Sequence, residues 1–443
     1  MFTRTLLLLI ITSLVPLPLL ANCTKVTSKS QLSQAAQDAG YTAKGWEGAC
    51  DECTGRLALP AIININSGNL FQPSGTLLAS AVGHPLNNPM KDAFTPNQIL
   101  YRCDMADAGK LYEMYSTNGD REEAGKYVTS EVDGAYFDKF KNVAVRLTNL
   151  STGEYYSRYW KGRQLSASDW YTDRQKIYIP ASIFSSVLYE IFKIDEGKHY
   201  VNSDNYYFET NNQPRGYIAF KGPGLESNNL YIGADHATVW NGWHYDWPVG
   251  WSSWKTVTYV RGAACEVYDY PAVVSLPLTS IGVLAGGGSS QAPFSITLRC
   301  ETGATSGIQN STLKSANVAM GFLVNQPQAV AMAQTLGLTT SSGGLTWLLD
   351  TNYGESNGSS ASGVGIKIYN SAGTPLNLLP DISSTGTGNT RGWYAYKDLT
   401  TLTSSDNGEI YSGDFTASLE AIPGQVITSG TVNAQLQVVV SFQ

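Results

Sequence analysis

The chain has 443 residues, 42% of them hydrophobic and 15% charged, with a formal net charge of −7. That length exceeds what one ordinary core holds and calls for two domains. The acidic balance gives no reason to expect a nucleic-acid partner, while leaving room for an anionic receptor held by a local basic patch.

At the start stand Arg4, an apolar run from Leu6 to Leu20 broken by Ser13, Pro16 and Pro18, and then Ala21. This reads as a signal peptide over residues 1–21, because the run is too short and too proline-broken to span a bilayer as a stable helix. Export then governs the cysteines. The six of them, Cys23, Cys50, Cys53, Cys103, Cys265 and Cys300, all follow the leader. An even number in an exported chain favours disulfides over metal thiolates or catalytic thiols, with the pairing among the first four left open.

Short helices are predicted at residues 30–39, stopped by Gly40, and around residues 106–115. Runs rich in β-branched and aromatic residues predict strands at residues 57–65, 143–147, 155–160, 177–179, 206–208, 217–220 and 257–260. Residues 22–261 are therefore expected to form a mostly antiparallel β domain, a sandwich or jelly roll, with one or two surface helices. Composition then changes. Residues 22–263 carry 48 charged side chains, whereas residues 264–443 carry 16, of which 11 are acidic. Eight of the ten tryptophans and 19 of the 26 tyrosines also precede Ala264. The remainder is rich in Ser, Thr, Gly, Asn and Val, the composition of many strands joined by tight turns.

The last aromatic-rich run before that change, residues 240–254, holds five tryptophans in fifteen residues. Sugars are bound by an aromatic face laid against the C–H face of the ring, with polar side chains fixing the hydroxyls. Trp240, Trp243, His244, Asp246, Trp247 and Trp251 supply both kinds of group and are the candidate ligand-binding residues. Packing of these rings in the core, or against the second domain, is the competing reading. The four histidines, His84, His199, His236 and His244, show no metal-ligand spacing, so no metal site and no cofactor are expected. A glycosidase would need two carboxylates across a cleft, and Glu131, Asp133, Glu190 and Asp246 are available. No nucleophile elbow, phosphate loop or clustered metal motif accompanies them, and the chain is read as not an enzyme.

Beyond Cys265, a strand-like stretch through Val273-Val274-Ser275-Leu276-Pro277-Leu278 passes a glycine-rich turn and enters Phe294-Ser295-Ile296-Thr297-Leu298-Arg299-Cys300. A disulfide closing that loop would tie two strands of a small sandwich together. At the C-terminus Val432, Ala434, Leu436, Val438, Val440 and Phe442 alternate with Asn433, Gln435, Gln437, Val439 and Ser441. Period two places that apolar row on one face of a final strand.

The two cysteines, the strand at residues 363–368, the turn at residues 370–375 and the alternating terminus after Gly430 together resemble the pilin domain of chaperone–usher fimbriae. The resemblance covers roughly the last 180 residues and implies an immunoglobulin-like sandwich that lacks its last strand, here residues 262–443. It implies that a periplasmic fimbrial chaperone lies first against Val432, Ala434, Leu436, Val438, Val440 and Phe442. An outer-membrane usher then exchanges it for the N-terminal donor strand of the next fimbrial subunit. A major pilin would begin near the mature N-terminus. The 240-odd residues in front instead resemble the arrangement of a two-domain tip adhesin, exported through the periplasm to the fimbrial tip at the cell surface. Such a protein would attach to a host glycan or glycoprotein receptor. The mature start, Asn22-Cys23, lacks the aromatic residue of mannose-binding relatives, so mannose is not implied.

Overall fold

The structure is a computed structural model that describes residues 22–50, 57–87, 93–118, 125–209, 214–239, 247–354 and 359–443. The predicted leader, residues 1–21, lies outside the described residues. Among the described residues no helix is long and apolar enough to cross a membrane. The chain is built of strands, as expected.

Among the described residues, four small sheets form the front part. One orders Thr24–Lys25, Ile99–Asp104, Lys176–Pro180 and Tyr171–Thr172; a second orders Leu77–Gly83, Val187–Lys193, Val143–Asn149 and Tyr136–Phe137. The third joins Tyr206–Phe208, Thr258–Gly262 and Ile62–Asn66, and the fourth Val249–Trp251, Gly216–Lys221, Tyr112–Thr117 and Lys161–Gln164. The strand Val143–Asn149 shows why the pattern folds this way. Val143, Val145 and Leu147 face the large core, while Ala144 packs with Phe137 and Phe192 on the other side. Arg146 sits opposite Glu190 in the neighbouring strand and bonds both its oxygens, at 2.8 and 3.1 Å. Charge thus fixes the register that apolar alternation leaves free to slide by two.

Local expectations need correction, among them the strand predicted at residues 57–65, which is Ile62–Asn66. The helix predicted around residues 106–115 is a 3-10 turn, Met105–Lys110, followed at once by the strand Tyr112–Thr117, because Met114 and Tyr115 are drawn into buried layers of a sheet. Residues 155–160 form only isolated bridges. Residues 273–278 form no strand: Val273 and Leu278 are exposed, and the chain leaves its ladder after Asp269. The helix at residues 30–39 is a 3-10 turn, Lys29–Gln31, and a short helix, Gln34–Asp38, capped by Ser33 and followed by Gly40 at φ +86°.

The described residues of the second part form two sheets. The larger orders Cys265–Asp269, Ser290–Cys300, Glu409–Ala421, Val364–Asn370 and Pro375–Leu376, with Thr401–Ser404 also on Glu409–Ala421. The smaller places Asn317–Leu323 between Trp393–Ala395 and the C-terminal strand Gln437–Phe442. Between the sheets lies a core with Leu298, Met320, Phe322, Leu345, Ile368 and Phe415. Cys265 and Cys300 stand opposite in the ladder and are joined; Cys23 is joined to Cys103 and Cys50 is also disulfide-bonded, while Cys53 lies outside the described residues. The two parts meet on one strand. In Thr258–Gly262, Tyr259 belongs to the front core and its neighbour Val260 to the second core, as the two-residue period of a strand requires.

Candidate functional site

The C-terminal strand Gln437–Phe442 runs antiparallel to Asn317–Leu323, with Phe442 opposite Val318 and Gln437 opposite Leu323. Among the described residues its other edge carries no partner strand. Above the second core, Val432, Ala434, Leu436, Val438 and Val440 are only half-buried. Val274, Leu276, Phe294 and Leu419 pack half-exposed on the same core. Apolar side chains left half in water keep only part of the roughly 1.5–3 kcal/mol each that full burial supplies. A row of them beside an unpaired strand edge is a template for an added strand.

The ladder begins at Gln437, five residues later than the predicted start at Val432. The cause is local. Asn433 gives its N–H to a carboxylate oxygen of Asp350 and its carbonyl accepts from Thr351 N at 2.9 Å, so this stretch is anchored to a turn instead of a strand. Asp350 is 2% exposed and also accepts from Asn352 N at 2.7 Å and Ser360 Oγ at 2.8 Å. Phe442 differs from the rest of its row in being buried, and Gln443 N bonds Asn317 O at 2.9 Å. Of the row that the sequence pattern names, Val438, Val440 and Phe442 lie on the strand Gln437–Phe442, and Val432, Ala434 and Leu436 precede it. The opposite bank was missed, although Val274-Ser275-Leu276 alternates in the same way. Where the chain leaves its partner after Asp269, a cleft of about 420 Å³ opens between residues 269–275 and 292–295.

Of the candidate ligand-binding residues, Trp240, Trp243, His244 and Asp246 lie outside the described residues. Trp247 and Trp251 are fully buried: Trp247 packs edge-on to Trp160 with centroids 5.3 Å apart, and Trp251 lies 6.4 Å from Tyr156. Neither indole face is open to a sugar in this structure, which corrects the expectation for these two. Their depth follows from the strand Val249–Trp251, whose residues are all buried beside Gly216–Lys221. Trp254 is half-buried; Arg215 Cζ and Lys255 Nζ approach its ring centroid at 5.2 and 4.2 Å.

His236 is buried, stacked on Trp160 with its Nδ1 2.7 Å from Ser116 Oγ; His199 stacks on Tyr127 and His84 Nδ1 accepts from Leu86 N. Among the described residues no group of three or more His, Cys, Asp or Glu side chains is placed to hold a metal. Glu190 is engaged by Arg146, and Glu131 accepts from the backbone of Asp195 and Glu196 at 2.7 and 2.6 Å. A buried acid pair lies elsewhere: burial pushes the Asp138 carboxyl up to about 7, against the opposing hydrogen bonds from Phe140 N, Glu209 and Lys139 N.

Residues 254–443 match the family described as Fimbrial protein. No curated protein matches the chain. Among solved structures, the CupB6 tip adhesin from Pseudomonas aeruginosa aligns over 89% of this chain and 94% of its own at 11% identity, with a TM-score of 0.26. A chain of the CsuC–CsuE chaperone–tip adhesion subunit complex of Acinetobacter baumannii aligns over 88% of this chain and 100% of its own at 9% identity, TM-score 0.25. The P pilus rod subunit PapA aligns over 41% of this chain and 100% of its own at 18% identity, TM-score 0.22. The family match spans the second core, the joined cysteines and the C-terminal strand.

Proposed function

We propose that the chain is a fimbrial tip adhesin in which residues 22–261 bind a receptor and residues 262–443 accept a donor strand. The observation that supports this reading is the half-exposed row from Val432 to Val440 beside a strand edge that lacks a partner among the described residues. Such an edge with an apolar floor takes a strand whose side chains alternate to match it. A periplasmic chaperone takes this place first, and the N-terminal segment of the next fimbrial subunit takes it after transfer at an outer-membrane usher. The chain accepts a strand here, and its front part stands where a rod subunit would carry a donor segment, which assigns it to the end of a fibre exposed at the cell surface.

The test replaces Leu436 with Asp and Val438 with Lys, each introducing a charge onto the apolar row. Loss of chaperone co-purification and of the protein from fibres is expected, with the cysteine pair and the front part intact by limited proteolysis. Normal assembly of the double variant would overturn the reading. For the receptor, a glycan is favoured by the aromatic run at residues 240–254, with Trp240, Trp243, His244 and Asp246 as proposed contacts. Competition of cell adhesion by soluble glycans separates this from a protein receptor.

A further inference from the structure

Among the described residues, Arg215 is a buried side chain of the front part with unused hydrogen-bonding capacity. It is fully buried, at 0% exposure, at the start of the strand Gly216–Lys221. Its backbone is held on both sides by Asn118: Arg215 N donates to Asn118 Oδ1 at 3.0 Å, and Asn118 N to Arg215 O at 3.1 Å. Of the guanidinium, Nη1 donates to the Cys50 carbonyl at 2.8 Å, and the carbon lies 5.2 Å from the Trp254 ring centroid. Nε and Nη2 are buried and have no hydrogen-bond partner, and among the described residues no carboxylate stands within ion-pair distance.

A guanidinium carries its charge permanently, so the burial cannot be relieved by losing a proton. Burying such a charge without a counter-charge is strongly unfavourable. The two unspent nitrogens are not scattered. Nε and Nη2 form one edge of the planar group, with two parallel N–H bonds at the spacing of the two oxygens of a carboxylate. The three side chains gathered at this indole lie at different depths: Arg215 is buried, Trp254 half-buried and Lys255 exposed. Lys255 Nζ lies 4.2 Å from the same indole centroid, and Lys255 holds a left-handed backbone at φ +57°, a conformation uncommon outside glycine. In a chain of net charge −7, this places two cations on one aromatic ring.

We propose that Arg215, Trp254 and Lys255 form a receptor subsite for a carboxylate-bearing sugar. The carboxylate pairs with the Nε–Nη2 edge of Arg215, the indole of Trp254 moves aside to admit it and then covers the sugar ring, and Lys255 draws the anion in from solvent. The inference rests on the reading of residues 22–261 as receptor-binding, and it names the chemical class of what they bind.

The test uses the purified full chain and four probes: N-acetylneuraminate, glucuronate, the methyl ester of either sugar, and inorganic sulfate, read by titration calorimetry and tryptophan fluorescence. At least one of the two free acids is expected to bind and change the fluorescence, with its ester at least tenfold weaker. Arg215→Lys, which keeps the charge but loses the paired edge, should weaken the acid at least tenfold; Trp254→Leu should abolish most of the fluorescence response. Lys255→Ala, an exposed position, should weaken binding a few-fold and keeps the test open if the Arg215 variant does not fold. Binding of acid and ester alike, an unchanged affinity in the folded Arg215 variant, binding of sulfate alone, or no binding of any probe would each overturn the subsite. A chain that takes a donor peptide yet binds no acid sugar loses only this inference; one that binds the sugar but takes no donor strand loses only the assembly reading.

Discussion

Gly262 faces Phe442 with no room for a side chain between them: a Cβ placed on Gly262 would lie 3.2 Å from Phe442 Cε1 and 2.5 Å from the Ala316 Cβ. Gly262 ends the front strand that also pairs with Ile62–Asn66, and Phe442 ends the C-terminal strand. Gly262→Ala is expected to cost about 1–3 kcal/mol through overpacking. The same change made in an Ala316→Gly background should cost less, because removing the Ala316 Cβ clears the tighter of the two contacts. Urea denaturation of the four members of this cycle measures the coupling. Strict additivity would mean that the clash is relieved elsewhere.

The disulfide between Cys265 and Cys300 closes a loop of 35 residues across neighbouring strands at registered positions. Replacing both with Ala removes a constraint on the unfolded chain worth about 2–5 kcal/mol. The loss should fall on the second core, with the proposed receptor binding by the front part unchanged. Thermal unfolding followed beside a binding assay separates the two.

The second part was legible in the sequence because its signals are local. Alternation over the C-terminal residues sets a face, and two cysteines flanking strand-like runs set a pair of neighbours. Pairing is not local: Val432 and Ala434 continue the alternation, yet the ladder stops at Gln437, since Asp350, 83 residues before Asn433, takes the backbone instead. In the front part the aromatic run announced tryptophans but not their depth. Trp251 is sealed beside Gly83 and Val187, and nothing in its neighbours along the chain distinguishes it from the half-buried Trp254. Arg215 was passed over for the same reason: an arginine before a strand is ordinary until its burial is known.

Asp350 is a point where one substitution reaches the apolar row without touching it. Asp350→Ala removes the acceptor of Asn433 N, Asn352 N and Ser360 Oγ, all around a buried carboxylate. Charge-assisted bonds of this kind contribute about 1.5–3 kcal/mol each at most, and non-additively. A loss of about 2–4 kcal/mol is expected. Hydrogen exchange should speed up at Asn433 and its neighbours more than at Val318–Phe322, whose amides lie in the ladder.

The buried pair of Asp138 and Glu209 sets a pH dependence with a definite sign. Both are at most 2% exposed, and burial is the largest cause holding the Asp138 carboxyl up at about 7, from an ordinary value of 3.8. Tyr189 and Tyr259 face the same pair, their hydroxyls pushed up by burial first and by the two acids after it; Lys139, pushed down by burial, is opposed by Glu209. Between the unfolded and folded values the native state binds more protons than the unfolded one, so stability falls as pH rises from about 4 to about 7 and this contribution is flat beyond. Asp138→Asn keeps an oxygen to accept from Phe140 N, 2.8 Å away, and offers Glu209 a permanent donor. The variant should lose the downward slope, so that its urea midpoint gains on the parent's as pH rises from 5 to 8. Parallel profiles for the two proteins would show that another group carries the proton.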